Sequence, residues 1–453
     1  MIEAGGVAEM SATPTSSEIA VDPRTVSRVD AAKPWELFNG RQRALLVLVL
    51  FLVGSSGAID RAVVSILLEP IKQAFHVSDT ALGLMTGLAF GILYAILGVP
   101  LGRYAARGDR RLLISASVGL WSIFTAGCGM VHTFLQLFLL RIGVGIGEAG
   151  GTGGPAISLL SDYFPPERRA KAIGFVQMST VAGAPGGLIA GGYIAQQYGW
   201  RVTFLVTGLP GVLLAALAWL ALRDPRTRHG FKATSTNEES TMDAVRVLVK
   251  KPTFINITLA LTAFWFVSLG PLLFDQAYTM RVLHLGIATT GAVTGVVSLA
   301  SIIAGNMIGG VLADRLARRD ITWLCKMPAY GMMALFPFYA GSHLVSTLTG
   351  YTLLSCAGAT IMLGCLPAMM SALVTVLGAT RRATGFAIAF MIGDLIGMTS
   401  GPVLTGMLSD HLARSMGPAQ GLRWAIIALL FPIFLAGWFL FRAARTIRAD
   451  FEA

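Results

Sequence analysis

Twelve predominantly apolar stretches, each about 20 residues or longer, follow one another along this chain of 453 residues. About 20 apolar residues cross a bilayer core of roughly 30 Å as an α-helix. With 13% charged residues, the chain is also too poor in charge to cover a soluble fold. We therefore predict an all-α integral membrane protein with twelve spans, at about 44–71, 80–105, 111–131, 133–160, 168–196, 201–222, 253–281, 288–312, 321–344, 346–376, 382–410 and 422–442.

The distribution of Lys and Arg predicts the orientation. Of the 35 cationic residues, 28 fall in the two tails and in the loops on one side of the predicted membrane. The other side carries only Lys72, Arg201, Arg281, Arg414 and Arg423. The positive-inside rule then predicts cytoplasmic termini in a multi-pass protein of the cell membrane, as in the bacterial inner membrane. Because the net charge of +11 is spread over all inner loops, it does not indicate nucleic-acid binding.

A polar stretch divides the twelve spans into two halves of six. The predicted organisation is a disordered cytoplasmic tail (1–40), a first half (41–222), a cytoplasmic linker (223–251), a second half (252–445) and a cytoplasmic tail (446–453). The halves repeat short motifs: Arg168-Arg169-Ala170 opens span 5, and Arg381-Arg382-Ala383 opens span 11. Repeated membrane halves are typical of secondary transporters, whose substrate site lies between the repeats.

The loop after span 8 reads Gly310-Val-Leu-Ala-Asp314-Arg315-Leu-Ala-Arg318-Arg319. This run closely resembles the loop motif of the major facilitator superfamily, and the resemblance covers roughly residues 40–445. It implies two pseudo-symmetric six-helix halves around a central cavity. It also implies that Asp314 and Arg315, with Arg107 in the first-half copy, form a gate that closes the cytoplasmic side. Ala106 departs from the motif, which has Asp at that position.

Two further runs resemble the Spinster branch of that superfamily, a branch of lysolipid transporters. They are Asp60-Arg61-Ala-Val-Val-Ser-Ile-Leu-Leu-Glu69-Pro70 in span 1 and Arg141-Ile-Gly-Val-Gly-Ile-Gly-Glu148 in span 4. The resemblance implies an amphiphilic, lipid-like substrate such as a lysophospholipid. The expected partners are the bilayer, the substrate and protons, and the expected state is a monomer.

Six charged residues lie in the interior of predicted spans, away from their ends, where each costs about 2.5–3.5 kcal/mol if unpaired. They are Asp60, Arg61, Arg141, Glu148, Asp275 and Asp394. At 1.5 Å per residue, Asp60 and Arg141 reach similar depths, and Glu148 follows Arg141 by two helical turns. We therefore predict an Asp60–Arg141 contact with Arg61 or Glu148 close by. Because an adjacent Arg stabilises an ionised carboxylate and burial opposes ionisation, this group is our candidate for proton coupling. The alternative is a permanent salt bridge that only joins two helices.

The remaining charges are less constrained by the sequence. Arg61, Asp275 and Asp394 are the candidate substrate contacts; Asp275 could instead line an outer gate, and Asp394 could cap a backbone group. Glu69 and Asp79 flank an outer loop and are expected to be solvated. The six histidines lie at span ends or in loops, so none is expected to carry a proton.

Other function classes find no support in the motifs. No Gly-Lys phosphate loop, enzyme motif or metal-ligand spacing is present, so no enzyme, metal or cofactor is expected, and the four cysteines are read as packing residues. The first hypothesis is a proton-coupled secondary transporter of amphiphilic lipids. A transporter of small organic anions held by Arg61 and Arg141, or of drug-like amphiphiles, is the alternative. A non-transporting membrane sensor is a third reading, but no appended soluble domain supports it.

Overall fold

The computed structural model describes residues 33–151, 153–229 and 241–451. These residues form helices and turns without a β-strand. Nine of the described helices are long and apolar enough to cross a membrane, and one of them, Pro166–Thr227, contains two successive spans. Helices at Asp79–Arg107 and Trp323–Leu344 occupy the places of the predicted second and ninth spans. The predicted all-α membrane fold of two six-helix halves is confirmed.

The first half contains α1 to α6. Their bounds are Gly40–Phe75 (α1); Asp79–Gly83, Leu84–Leu88 and Ala89–Arg107 (α2); Arg110–Cys128 (α3); Phe134–Gly151 and Gly154–Tyr163 (α4); and Pro166–Ala221, which bends at Gly199 into α5 and α6. The middle segment of α2 is π-helical. Capping residues explain several of these starts: Asn39 and Gln42 form a capping box before α1, and Ser78 caps α2.

The second half contains α7 to α12. Their bounds are Pro252–Leu269, Pro271–Phe274 and Asp275–Val282 (α7); Ile287–Ala317 (α8); Trp323–Leu344 (α9); Leu348–Ile392, which bends at Gly378 into α10 and the start of α11; Gly393–Met398 and Thr399–Met416, which continue α11; and Pro418–Leu429 and Pro432–Thr446 (α12). Gly393–Met398 is π-helical. Gly417 joins α11 to α12 with φ 80° and ψ 162°, and Gly199 joins α5 to α6 with φ 81° and ψ 166°. The same left-handed turn therefore recurs at equivalent places in the two halves.

The connecting segments pack onto the bundle at the end from which α1 starts and at which α12 finishes, called the terminal end below. Residues 1–32, most of the predicted tail, and linker residues 230–240 lie outside the described ranges. The turn Pro34–Leu37 precedes α1, and Phe38 stacks on Tyr163 with ring centroids 3.6 Å apart. Packed structure therefore begins before residue 40, where the sequence placed the end of a disordered tail. Short helices cover Pro225–His229 and Thr241–Leu248 in the predicted linker.

The two halves contact each other toward the other end of the bundle, called the opposite end. There α2 packs on α11, and a Cβ added at Gly83 would lie 2.3 Å from the Pro402 carbonyl oxygen. On the other flank α5 packs on α8, and a Cβ at Gly291 would lie 2.3 Å from the Leu188 carbonyl oxygen. One buried apolar cluster draws on both halves at this end. The cavity between the halves is thus closed at the opposite end.

An ion-pair cluster joins helix ends of the first half at the terminal end. The fully buried Arg110 of α3 donates from Nε and Nη2 to the two carboxylate oxygens of Asp224, at 2.9 and 2.6 Å, and from Nη2 to Asp162 at 2.7 Å. Asp224 lies just beyond α6. Burial alone would raise the pKa of Asp224, but hydrogen bonds and charge from Arg110 outweigh it and hold that pKa below its ordinary value.

Replacing Asp224 by asparagine should lower the unfolding midpoint of the detergent-solubilised protein, because removing one partner of a buried pair costs about 3–5 kcal/mol. A carboxyl whose pKa is lower when folded contributes stability that is complete above its unfolded pKa of about 3.9 and is lost as the pH falls through the folded value. Below about pH 4, the unfolding midpoint of the variant should therefore fall less steeply with pH than that of the wild-type protein. Asp243→Asn, in an exposed pair with Arg246, is the control and should leave the midpoint unchanged.

Candidate functional site

The first intramembrane charge pair joins α1 to α4. Arg141 donates from Nη1 to Asp60 Oδ2 at 2.9 Å, and Thr125 of α3 donates to Asp60 Oδ1 at 2.7 Å. The side chains of Arg141 and Asp60 are only 4% and 5% exposed. The contact predicted from helix depth is confirmed, and the pair is shielded by three helices. Its role in proton coupling stays a prediction.

The second pair places a cation at the boundary between protein and cavity. Arg61 of α1 forms an ion pair with Glu148 of α4. The Glu148 side chain is completely buried, whereas that of Arg61 is 41% exposed. Glu148 Oε2 accepts from Arg61, but Oε1 has no hydrogen-bond partner in the described part of the chain. A buried carboxylate oxygen without a partner is unfavourable, and a proton bound there would relieve that cost.

Close packing of α3 against α4 positions these side chains. A Cβ added at Gly147 would lie 2.6 Å from the Trp121 backbone nitrogen, and one at Gly143 would lie 2.7 Å from the Phe124 ring. The glycines of α4 therefore allow α3 and α4 to pack closely, as small residues do at membrane helix interfaces. Thr125 and Arg141, which both bind Asp60, are carried by these two helices.

Replacing Gly147 by alanine should therefore separate α3 from α4 and destabilise the protein by about 1–3 kcal/mol, as overpacking does. The expected result is a lower thermal unfolding midpoint in detergent. Gly174→Ala is the matched control, because a Cβ at that position of α5 meets nothing within 4 Å. Equal midpoints for the two variants would contradict this account of the packing.

Asp394 is the acid of the second half that interacts with Arg61. It lies in the π-helical segment of α11 and is half-buried, and Arg61 attracts it electrostatically. A π-helical turn inserts one residue into the helix and often occurs at functional sites. Arg61 therefore interacts with an acid of its own half and, electrostatically, with an acid of the other half.

Asp275 does not join this group. Its Oδ1 is 2.9 Å from His343 Nε2 of α9, and its Oδ2 accepts from the Tyr351 hydroxyl of α10 at 2.7 Å. His343 is fully buried, and its ring is tilted by 54° against that of Tyr278, with ring centroids 4.5 Å apart. His343 lies at a span end, as the sequence predicted, but its side chain is buried. Although it is the penultimate residue of α9, neighbouring helices cover it.

The opposite end is held by a network that sequence reasoning missed. Asp79 of α2 accepts from both Nη atoms of Arg281 at 2.7 Å and from Ser409 at 2.7 Å, and it pairs with Lys72 at 2.7 Å. Arg281 also pairs with Glu69. Asp79 is 1% exposed and Glu69 is 9% exposed, so the expectation that both are solvated is wrong. Arg281 and Ser409 belong to the second half, so the network closes the opposite end.

A further carboxylate completes this closure. Asp410 of α11 accepts from the backbone N–H groups of Asp79 and Thr80, at 3.0 and 2.8 Å. It thereby satisfies the first backbone donors of α2, which have no partner within their own helix. The sequence did carry one signal for the network: Lys72 and Arg281 are two of the five cations on that side.

The residues predicted to form a gate lie at the terminal end. Asp314 and Arg315 both lie near the end of α8 and are exposed. Arg107 ends α2, and its side chain is outside those that the structure describes. The described residues contain no group of three or more His, Cys, Asp or Glu side chains arranged to hold a metal ion, and the four cysteines are free.

Comparison with known proteins identifies the fold and the family. A family model described as "Major Facilitator Superfamily" matches residues 50–402. An MFS-type efflux pump of Mycolicibacterium smegmatis is 32% identical over 88% of this chain and 92% of its own length. Protein spinster homolog 1 of Xenopus tropicalis is 28% identical over 93% of this chain and 85% of its own length.

A crystal structure of a bacterial homolog to the human lysosomal transporter Spinster, in an inward-facing and unoccupied conformation, superimposes with a TM-score of 0.83. It is 28% identical and covers 92% of this chain and 100% of its own. The D-xylose-proton symporter shares the fold, with a TM-score of 0.68 at 18% identity. The chain belongs to the Major Facilitator Superfamily and is a transporter of the Spinster type.

Proposed function

We infer that this chain is a proton-coupled secondary active transporter that works by alternating access. The observation that supports this most directly is the Arg61–Glu148 pair. It joins a buried carboxylate with one unpartnered oxygen to a guanidinium that is 41% exposed. Asp60 and Arg141 form a buried pair behind it. Such an arrangement offers a proton a site next to a group that substrate can reach.

Protonation of Glu148 would remove the negative charge that holds Arg61. The guanidinium would then be attracted more strongly to Asp394 of the second half or to an anionic group of the substrate. A ligand that draws Arg61 toward the second half binds more tightly to one of the two alternating conformations than to the other. It therefore shifts the equilibrium toward the conformation that it binds more tightly. Proton uptake and substrate binding are coupled because both act on the Arg61–Glu148 pair.

The surroundings of Arg61 support an amphiphilic substrate such as a lysophospholipid. Arg61 lines a cavity of about 160 Å³ between α1, α4 and α5, and most of its other lining residues are apolar or small. A larger cavity of about 390 Å³ lies between α1, α5 and α6 and is lined mainly by Ile, Leu, Val, Ala and Gly. A cation beside apolar walls suits a phosphate head group attached to an acyl chain.

The alternative substrates are small organic anions and drug-like amphiphiles. The observation that favours drug-like amphiphiles is the similarity to a protein named an MFS-type efflux pump. Arg61 would bind an organic anion equally well, but such an anion would have no apolar group to contact the apolar walls of the cavity. The two substrate classes therefore differ in whether binding requires an apolar tail.

The orientation follows from the cation distribution. We place the termini in the cytoplasm and the protein in the cell membrane, as a monomer. The closed opposite end is then the outer side, and the exposed Asp314 and Arg315 belong with Arg107 to a gate that forms when the cytoplasmic side closes.

Substrate class is tested by thermal stability in detergent. Lysophosphatidylcholine should raise the unfolding midpoint, and glycerophosphocholine, which lacks the acyl chain, should not. Stabilisation by succinate and not by the lysolipid would overturn the lipid assignment. Arg61→Gln should abolish the shift, whereas Arg103→Gln, which changes an exposed arginine near the end of α2, should keep it.

A further inference from the structure

The buried group around Asp275 and His343 has no part in the proposed coupling at Glu148. It lies in the second half, between α7, α9 and α10, and borders a cavity of about 250 Å³. The lining includes Asp275, Gln276, Thr294, Tyr339 and Tyr351, and it includes Leu188 of α5 from the first half. This volume suits a head group or other small group and is too small for a whole amphiphile.

The hydrogen bonds of His343 determine its protons. Nδ1 lies 2.8 Å from the Tyr339 carbonyl oxygen and 3.1 Å from Ser342 Oγ, and the Ser342 hydroxyl itself donates to that carbonyl oxygen at 2.8 Å. Because the Ser342 proton is used there and the carbonyl oxygen can only accept, Nδ1 carries a proton. Nε2 lies 2.9 Å from Asp275 Oδ1, and one proton must lie between these two atoms for a hydrogen bond to exist. The Asp275–His343 pair thus holds one shared proton and is neutral overall, whichever atom carries that proton.

The cavity beside this pair offers acceptors. Asp275 is 14% exposed in its side chain and so remains accessible. The neighbouring Gln276 is 8% exposed, and its Oε1 atom accepts no hydrogen bond from the described residues. A buried amide oxygen without a donor is costly, and a ligand with N–H groups would satisfy it. Tyr339 and Tyr351 add aromatic rings, whose faces attract cations.

We propose that this cavity binds a primary ammonium group, and that its binding displaces the proton shared by Asp275 and His343. The ammonium group would donate to Asp275 and to Gln276 Oε1. His343 would release its Nε2 proton to water. Its Nδ1 atom would keep its proton and would still donate a hydrogen bond to the Tyr339 carbonyl oxygen. The pair and ligand together remain neutral, because one positive charge enters and one proton leaves.

The surrounding charged and titratable groups are compatible with this exchange. They are Asp275 and Tyr278 on α7, Tyr339 on α9, Tyr351 and Cys356 on α10, and Arg423 on α12. Asp275 is the carboxylate among them, and Tyr351 keeps donating to its Oδ2 in both states. That the ammonium group belongs to a transported substrate rests on the transport function proposed above, whereas the binding site itself does not.

The test is isothermal titration of the purified protein in detergent with ethanolamine between pH 6 and 8. Ethanolamine should bind, and ethylene glycol, which replaces the ammonium group by a hydroxyl, should not. Choline, which has the charge but no N–H donor, should bind at least tenfold more weakly. Because one proton is displaced, the Kd for ethanolamine should rise as the pH falls. Titrations in buffers of different ionisation enthalpy should show one proton released.

Two variants separate the roles. His343→Gln should still bind ethanolamine, but its Kd should no longer depend on pH, whereas Asp275→Asn should not bind. Glu148→Gln should bind as wild type does, which separates this site from the coupling site. Equal binding of ethylene glycol, equal binding of choline, absence of ethanolamine binding, or a Kd independent of pH in the wild-type protein would each overturn the proposal.

Discussion

Replacing Glu148 by glutamine should reduce substrate-driven proton movement at least tenfold. Glutamine has nearly the same shape and its amide oxygen can still accept from Arg61, but it cannot take up or release a proton at this position. The measurement is the change in fluorescence of a pH-sensitive dye inside proteoliposomes after lysophosphatidylcholine is added outside. Binding of the lysolipid in detergent should be retained, because Arg61 is unchanged. The defect should therefore lie in coupling and not in recognition.

The control for this experiment is Glu167→Gln, which removes an exposed carboxylate at the start of α5 and should transport as wild type does. Size-exclusion profiles confirm that each variant is folded. Proton movement at the wild-type rate in the Glu148→Gln protein would contradict the role assigned to Glu148. If Asp60→Asn also kept that rate, proton coupling by the whole α1–α4 group would be wrong.

The Asp60→Asn variant also distinguishes coupling from a purely structural pair. If Asp60 and Arg141 only join α1 to α4, the variant should lose stability while the number of protons moved per substrate stays unchanged. Breaking a buried pair by removing one partner costs about 3–5 kcal/mol, so the loss would be readily measured. If the pair takes part in coupling, the ratio of protons to substrate should change as well. The ratio therefore separates the two interpretations where stability does not.

Hydropathy and depth along a helix were sufficient to predict much of this structure. The first span was predicted at about 44–71 and is found at Gly40–Phe75, since a run of apolar residues must cover the membrane core. A rise of 1.5 Å per residue placed Asp60 and Arg141 at similar depths in the membrane. The contact was predicted because opposite charges at the same depth in neighbouring helices are expected to pair. Depth does not determine rotation about the helix axis. It therefore left open which of Arg61 and Glu148 lay close to the pair.

The sequence did not reveal which residues at span ends are covered by other helices. Asp79 lies at the start of a span, where a charge is normally solvated, but its partner Arg281 is 202 residues away in the other half. His343 lies next to the end of α9, but it contacts Asp275, 68 residues away. The sequence pattern does not show which helix ends pack against each other, so it gave no reason to pair these residues. The two π-helical segments also escape prediction, because the extra residue in the turn leaves the apolar pattern almost unchanged.

Replacing Asp79 by asparagine should open the opposite end of the bundle. Asp79 accepts from Arg281 and Ser409 of the second half, and these contacts between the halves hold that end closed. Without this carboxylate, Glu69 is the remaining acidic partner of Arg281 among the described residues. Breaking a buried ion pair in this way should destabilise the closed state by about 3 kcal/mol. At about 1.4 kcal/mol per tenfold change, the equilibrium between closed and open should shift roughly 100-fold.

Spin labels on Ala74→Cys in α1 and Ser415→Cys in α11 report this shift, since both positions are exposed at the opposite end. Cys356 is replaced by serine in every variant, and the other three native cysteines are buried. Pulsed electron spin resonance should show a longer distance in Asp79→Asn than in the parent. Arg414→Gln, which changes an exposed arginine at the same end, should keep the parent distance. An unchanged distance in Asp79→Asn would mean that apolar packing between the halves, and not this carboxylate, holds the end closed. The lysolipid should then stabilise both proteins equally, because the halves would still close in the same way.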